Sequence, residues 1–174
     1  IGSLDISSFA MTGEGQNITL NQLSIQANNG LLGKSLDAKT DFGEIHLVGQ
    51  YEYDQLPQTI RRILRHYIPS LFQPNPHYYT ATGKANYSFT LRLHDTKFIN
   101  SLLKTDIVSS HAIRLAGFVN ERQNEIDLHI NAPDVTYSGQ QIKNLVLNLK
   151  SEPQGLQTRI SAERKGEKGP HVII

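Results

Sequence analysis

Apolar and polar residues alternate with a period of two over most of the chain. Between Glu44 and Tyr53, the side chains of Ile45, Leu47, Tyr51 and Tyr53 share one side with Gly49. His46, Gln50 and Glu52 take the other side, joined by Val48. Successive side chains of a strand point to opposite faces, so this is a strand with one apolar face. From Lys84 to His94 the pattern repeats, with Tyr87, Phe89, Leu91 and Leu93 set against Asn86, Ser88, Thr90 and Arg92. Ile113, Leu115, Gly117 and Val119 mark a third strand, and Ile126, Leu128 and Ile130 a fourth. Leu145, Leu147 and Leu149 mark a fifth, and Leu156, Thr158, Ile160 and Ala162 a sixth. Ile18 to Ala27 and Ser35 to Thr40 are weaker members, and His171 to Ile174 reads as the start of another.

Turn formers separate these runs. Asn28-Asn29-Gly30 and Phe42-Gly43 can supply positive φ, and Asn120 to Asn124 is a polar hairpin loop. Ala132-Pro133-Asp134, Ser138-Gly139 and Glu152-Pro153-Gln154-Gly155 read as further breaks. Connections this short make neighbouring strands antiparallel, because a parallel crossover needs a dozen or more residues. The phrase Leu20 to Ala27 has the same apolar and polar order as Ile142 to Leu149, which suggests an internal repeat or generic strand patterning.

One interval breaks the alternation decisively. Ile60, Ile63, Leu64, Tyr67 and Ile68 recur at helical spacing, which predicts an amphipathic helix near 56–72. Pro57 suits its first turn, Pro69 its end, and Gln73-Pro74-Asn75-Pro76 a stiff extended connection. Tyr78 and Tyr79 read as packing residues at the crossing back to the strands. A short helix near 96–103 is predicted from Phe98, Ile99, Leu102 and Leu103, with Asp95 or Thr96 as its N-cap.

The 174 residues carry 17 Lys and Arg against 16 Asp and Glu, a formal charge of +1. That balance argues against nucleic acid as a partner, because such binders carry a clear basic excess. Charged residues make up only 19%, and 12 Asn and 12 Gln supply the remaining polarity. The absence of cysteine removes disulfides, thiolate catalysis and Cys-ligated metals together. There is no run of about 18 apolar residues, and the chain begins at Ile1. Both ends read as cut, so the expectation is a single fragment, 1–174, of a longer protein, with room for a targeting signal or anchor outside it.

No constellation of chemical groups emerges. The seven histidines form no HExxH and no close pair, the acids are scattered singly, and Gly13-Glu14-Gly15 lacks the rest of a dinucleotide fingerprint. The expectation is therefore a protein that is not an enzyme and uses no metal or cofactor. Function then rests on the shape of the sheet. Its apolar face can be covered by a second sheet, covered by helices, or curled into a groove. Arg61, Arg62 and Arg65 lie off the helix stripe and are either a face for an anionic partner or a solvated face.

Two stretches carry a resemblance. Gly49 to Ile60 runs into Tyr67-Ile68-Pro69-Ser70-Leu71-Phe72, a strand followed by an amphipathic helix. Later, Gly117-Phe118-Val119-Asn120 precedes Glu125 to Pro133, Val135-Thr136-Tyr137 and Ile142 to Leu149. In that order, over roughly residues 17–163, the sequence resembles TamB-like translocation and assembly module proteins in their Bacteroidota form, and the related AsmA-like envelope proteins. The resemblance implies a curled antiparallel β-sheet, a half-pipe or taco with a hydrophobic interior. It implies a periplasmic, inner-membrane-anchored protein that moves phospholipids toward the outer membrane, or that assembles outer-membrane β-barrel proteins with a barrel partner. Phospholipid acyl chains, a barrel partner and nascent outer-membrane proteins are the partners it implies. The family has no established catalytic set to carry over. The expected groove lining is Ile45, Leu47, Tyr87, Phe89, Leu91, Ile113, Leu115, Ile126, Leu128 and Leu147. A closed β-sandwich serving as an interaction module is the plainer alternative.

Overall fold

The computed structural model describes residues 2–13, 16–31, 33–67, 83–97, 100, 106–164 and 171–173. Most of them form one antiparallel sheet. Its strands are β1 (Gly2–Gly13), β2 (Gln16–Gly30), β3 (Gly33–Thr40), β4 (Gly43–Gln50), β5 (Asn86–Leu93) and β6 (Val108–Ser109). They continue as β7 (Ile113–Asn120), β8 (Glu125–Tyr137), β9 (Gln140–Glu152), β10 (Gly155–Arg164) and β11 (His171–Ile173). The spatial order is the chain order, β1-β2-β3-β4-β5-β7-β8-β9-β10-β11, with β6 paired to the far end of β8 beyond β7. The sheet is curled and does not close into a barrel. Among the described residues there is no second sheet.

Local chemistry accounts for these ladders. Ser138 and Gly139 both take positive φ, 48° and 74°, the geometry of a tight hairpin turn between β8 and β9. Thr40 closes the β3–β4 turn, its Oγ1 donating to the Gly43 carbonyl at 3.0 Å. Asp41 extends from the same turn to β2, where its carboxylate accepts the N–H groups of Asn21 at 2.7 Å and Gln22 at 2.9 Å. Ser8, which interrupts the β1–β2 pairing at φ 60°, sits opposite that point.

The sequence reading differs from the structure in three places. The strand expected from Glu44 to Tyr53 stops at Gln50. Gln55 N–H bonds the Glu52 carbonyl at 3.0 Å, so Tyr53–Gln55 winds into a 3-10 turn that leads into the helix α1 (Leu56–Tyr67). Ala132-Pro133-Asp134 is not a break, because β8 runs straight through it. Pro133 lacks a donor, Asn144 opposite it takes φ 50°, and pairing resumes at Asp134–Lys143. β1 carries no strand expectation, yet the ladder holds on both sides of Ser8.

The segment 68–72 of the first expected helix, the Pro-rich connection, Tyr78, Tyr79 and most of the second helix lie outside the described residues. What is described at the second helix agrees with a capped turn. Asp95 Oδ1 accepts the Lys97 N–H at 2.8 Å, and Asn100 N–H bonds the Thr96 carbonyl at 2.8 Å. Thr96 Oγ1 then donates to the Ile107 carbonyl at 2.7 Å, tying this crossover to the start of β6.

Candidate functional site

The ladder registers align the apolar positions into rows that cross the whole sheet. One row runs Leu4, Ile25, Ala38, Ile45, Leu91, Leu115, Ile130, Leu147, Ile160 and Ile173, one residue from each strand on the path. At the usual strand spacing it is ~43 Å wide. The next row is Ala27, Leu36, Leu47, Phe89, Gly117, Leu128, Leu149 and Thr158. A third, shorter row is Lys34, Gly49, Tyr87, Val119 and Ile126.

Helix α1 covers the third row and part of the second. Ile63 at its centre is fully buried and clusters with Leu47, Tyr51, Tyr87, Val119 and Ile126. Leu56, Ile60, Leu64 and Tyr67 pack at the edge of the same cluster. Two glycines sit where a side chain would collide within the sheet. A Cβ on Gly49, which has φ 139°, would stand 2.6 Å from the Tyr87 Cα. A Cβ on Gly117 would stand 2.5 Å from the Phe89 ring, which lies across that gap in the sheet surface.

The helix is also pinned by charge. Glu121, 5% exposed in the β7–β8 turn, accepts the N–H groups of Lys84 at 3.0 Å and Ala85 at 3.1 Å. Its other carboxylate oxygen faces Arg62 Nε at 3.3 Å. Arg62 also donates to the Glu121 carbonyl and to Asn124 Oδ1, both at 2.9 Å, and the Tyr67 hydroxyl donates to the Asn124 carbonyl at 3.0 Å. Burial, and then the nearby Glu121 charge, push the Tyr87 phenol up to about 12. Burial likewise raises the Tyr51 phenol.

The expected groove lining therefore divides. Leu47, Tyr87 and Ile126 are not open groove wall but core beneath α1, with Phe89 packed against that core. The helix supplies the apolar partner that the groove reading assigned to a guest. Ile45, Leu91, Ile113, Leu115, Leu128 and Leu147 stay only partly buried on the same face. Of the basic helix residues, Arg61 and Arg65 are exposed, whereas Arg62 is committed to the Glu121 turn.

The opposite face is polar and hollowed. A depression of about 890 Å³ spans β2, β3, β4, β5, β7 and β8. Gln22, Ser24, Gln26, Asp37, Lys39, Glu44, His46, Thr90, Arg92, Arg114, His129 and Asn131 project along it. Ile45, Leu91 and Leu115 border it as the residues between those polar positions. Asp37 Oδ1 lies 2.6 Å from His46 Nδ1, and Glu44 lies 3.5 Å from Arg92 and 3.4 Å from His94. Alternation places these residues on the polar faces of their strands. The signal for the hollow would have been the register, which puts Glu44, Arg92, Arg114 and Asn131 side by side.

Elsewhere Asp134 accepts from Gln141 Nε2 at 3.0 Å and Ser110 Oγ at 3.0 Å, and these bonds hold its carboxyl below the usual carboxylate range. Among the described residues no three His, Asp or Glu side chains gather as a metal site would require, and no helix is long and apolar enough to cross a membrane. Compared with known proteins, the chain matches no family model, no curated protein and no solved structure.

Proposed function

We propose that this chain is a non-catalytic segment of a cell-envelope protein whose apolar sheet face carries phospholipid acyl chains between the inner and outer membranes. The observation that carries the reading is the row from Leu4 to Ile160, one apolar residue per strand, in a single-layered sheet. Leu4 is 49% exposed at one end of it, and Ile45, Leu91, Leu115, Ile130 and Leu147 are partly buried along it. Burying one methylene is worth about 0.8 kcal/mol whatever the head group. An acyl chain lying on this row, covered on one side, keeps roughly half of that per methylene. Such a surface selects for apolarity and length and is permissive about head groups.

In this reading α1 is a stop at one end of the apolar face. It takes up the positions nearest the β7–β8 turn and leaves the Leu115 row to the guest. Periplasmic location and an association with translocation and assembly machinery belong to the same proposal.

The test is a photo-crosslinking residue placed at Leu115 in the protein as produced in cells, with Leu47 as the internal comparison. Phospholipid adducts at Leu115 and none at Leu47 are expected. Adducts to nascent outer-membrane proteins at Leu115, without lipid, would replace this reading with an assembly scaffold. No adduct of either kind at Leu115 would overturn both.

A further inference from the structure

The polar hollow holds a cation pair that the fold itself does not explain. Arg92 on β5 and Arg114 on β7 are direct partners in the ladder. Directly opposed residues of antiparallel strands have Cβ atoms about 5 Å apart, and like charges placed there repel. Both arginines line the hollow, flanked by Glu44 on β4 and Asn131 on β8.

The neighbouring acids do not neutralise the pair. Three fixed cations, Lys39, Arg92 and Arg114, face two carboxylates, Asp37 and Glu44, with His46 and His129 as the other titratable groups. Asp37 is taken up by His46 at 2.6 Å. Glu44 is shared between Arg92 at 3.5 Å and His94 at 3.4 Å, and it also faces Lys39 across the β3–β4 ladder. Arg114 is exposed and has no ion pair with any described residue. The guanidinium of an arginine is built for bidentate bonding to an oxyanion, and a dianion set between two of them turns their repulsion into attraction.

We infer that the hollow is a binding site for a phosphate ester of a polyol, with the phosphate held between Arg92 and Arg114. The volume of about 890 Å³ is far more than a phosphate needs and leaves room for a larger body beside the anion. Ser24, Gln26, Thr90 and Asn131 offer that body hydroxyl and amide partners. The site lies on the face opposite the apolar row, so it stands or falls independently of the acyl-chain reading.

Calorimetric titration of the 174-residue chain with glycerol 3-phosphate, in chloride of matched ionic strength, tests this. Saturable binding is expected, at least tenfold weaker in Arg114→Gln and unchanged in Arg159→Gln, which alters a β10 arginine outside the hollow. Glycerol alone should not bind. Without ligand, Arg114→Gln should melt at the same temperature as the parent chain or higher, because a repulsion is removed. The inference is overturned by an absence of saturable binding. It is equally overturned by equal losses in Arg114→Gln and Arg159→Gln, by no loss in Arg114→Gln, or by a lower melting temperature of ligand-free Arg114→Gln.

Discussion

Two rows of the same sheet face, one on either side of the Phe89 row, read almost alike in sequence and have different fates. The row through Tyr87, Val119 and Ile126 lies under α1 and is buried to 5% exposure or less. The row through Leu91, Leu115 and Ile130, four residues along each strand, is only partly buried. Both rows are built from aliphatic or aromatic residues in period-two strands. The difference comes from outside the strands: the reach of the helix, and the clamp that Glu121 and Arg62 place at one end of it. Alternation specifies which face is apolar, while a separate element decides which part of that face becomes core.

The clamp is where the comparison breaks most sharply. Glu121→Ala removes the acceptor of two N–H groups and strands the half-buried Arg62, so a loss of about 4 kcal/mol in denaturant unfolding is expected. Glu44→Ala, whose partners are exposed, should cost less than about 1 kcal/mol. Ile63→Ala opens a cavity at the centre of the covered row and should cost about 3 kcal/mol by the same measurement.

Alkaline titration separates the rows through Tyr87. Its folded phenol stays protonated up to about 12 against an ordinary 10.0, so the neutral form is the one folding favours. That stability is complete below pH 10.0 and is lost as pH rises from there through about 12. Tyr87→Phe should therefore flatten the alkaline limb of the stability profile by about 2–3 kcal/mol relative to the parent. Its hydroxyl has no hydrogen-bond partner among the described residues, so near pH 7 the substitution should be close to neutral.

Smaller effects are expected away from the centre of the covered row. Gly117→Val pushes into the Phe89 ring and should cost about 2 kcal/mol, read as a lower melting temperature. Leu115→Ala, on the uncovered row, should cost about 1 kcal/mol or less, because its side chain gives up little buried area. If Leu115→Ala cost as much as Ile63→Ala, the two rows would be equivalent core and the contrast would fail.

Much of this architecture is legible from alternation and turn residues alone. β5, β7 and β10 emerge within a few residues because each carries four period-two positions between clear turn signals. The helix emerges because Ile60, Ile63, Leu64 and Tyr67 match a helical spacing that no strand can satisfy. β1 is hidden by Ser7-Ser8, whose turn chemistry the sheet absorbs as a single positive-φ residue. Pro133 is misleading for a similar reason: one missing donor is tolerated when the partner strand also leaves the ladder at Asn144.

The sites are less legible than the fold, since they depend on contacts distant in sequence. Nothing local to Glu121 shows that Arg62 will reach it, and nothing local to Leu47 or Ile126 shows that a helix will lie on them. The Arg92–Arg114 pair is likewise invisible until β5 and β7 are in register. Residues 22 positions apart on two polar faces read simply as surface until the ladder brings them together.

The most direct test of the acyl-chain account uses the absence of cysteine in the chain. A single cysteine at Leu115, labelled with an environment-sensitive fluorophore, reports on the uncovered apolar row, and one at Ser88, outside the hollow, reports on the opposite face. Titration with a short-chain phospholipid should give a saturable blue shift at position 115 and none at position 88. No shift at position 115, or equal shifts at both positions, would contradict the claim that this face receives acyl chains.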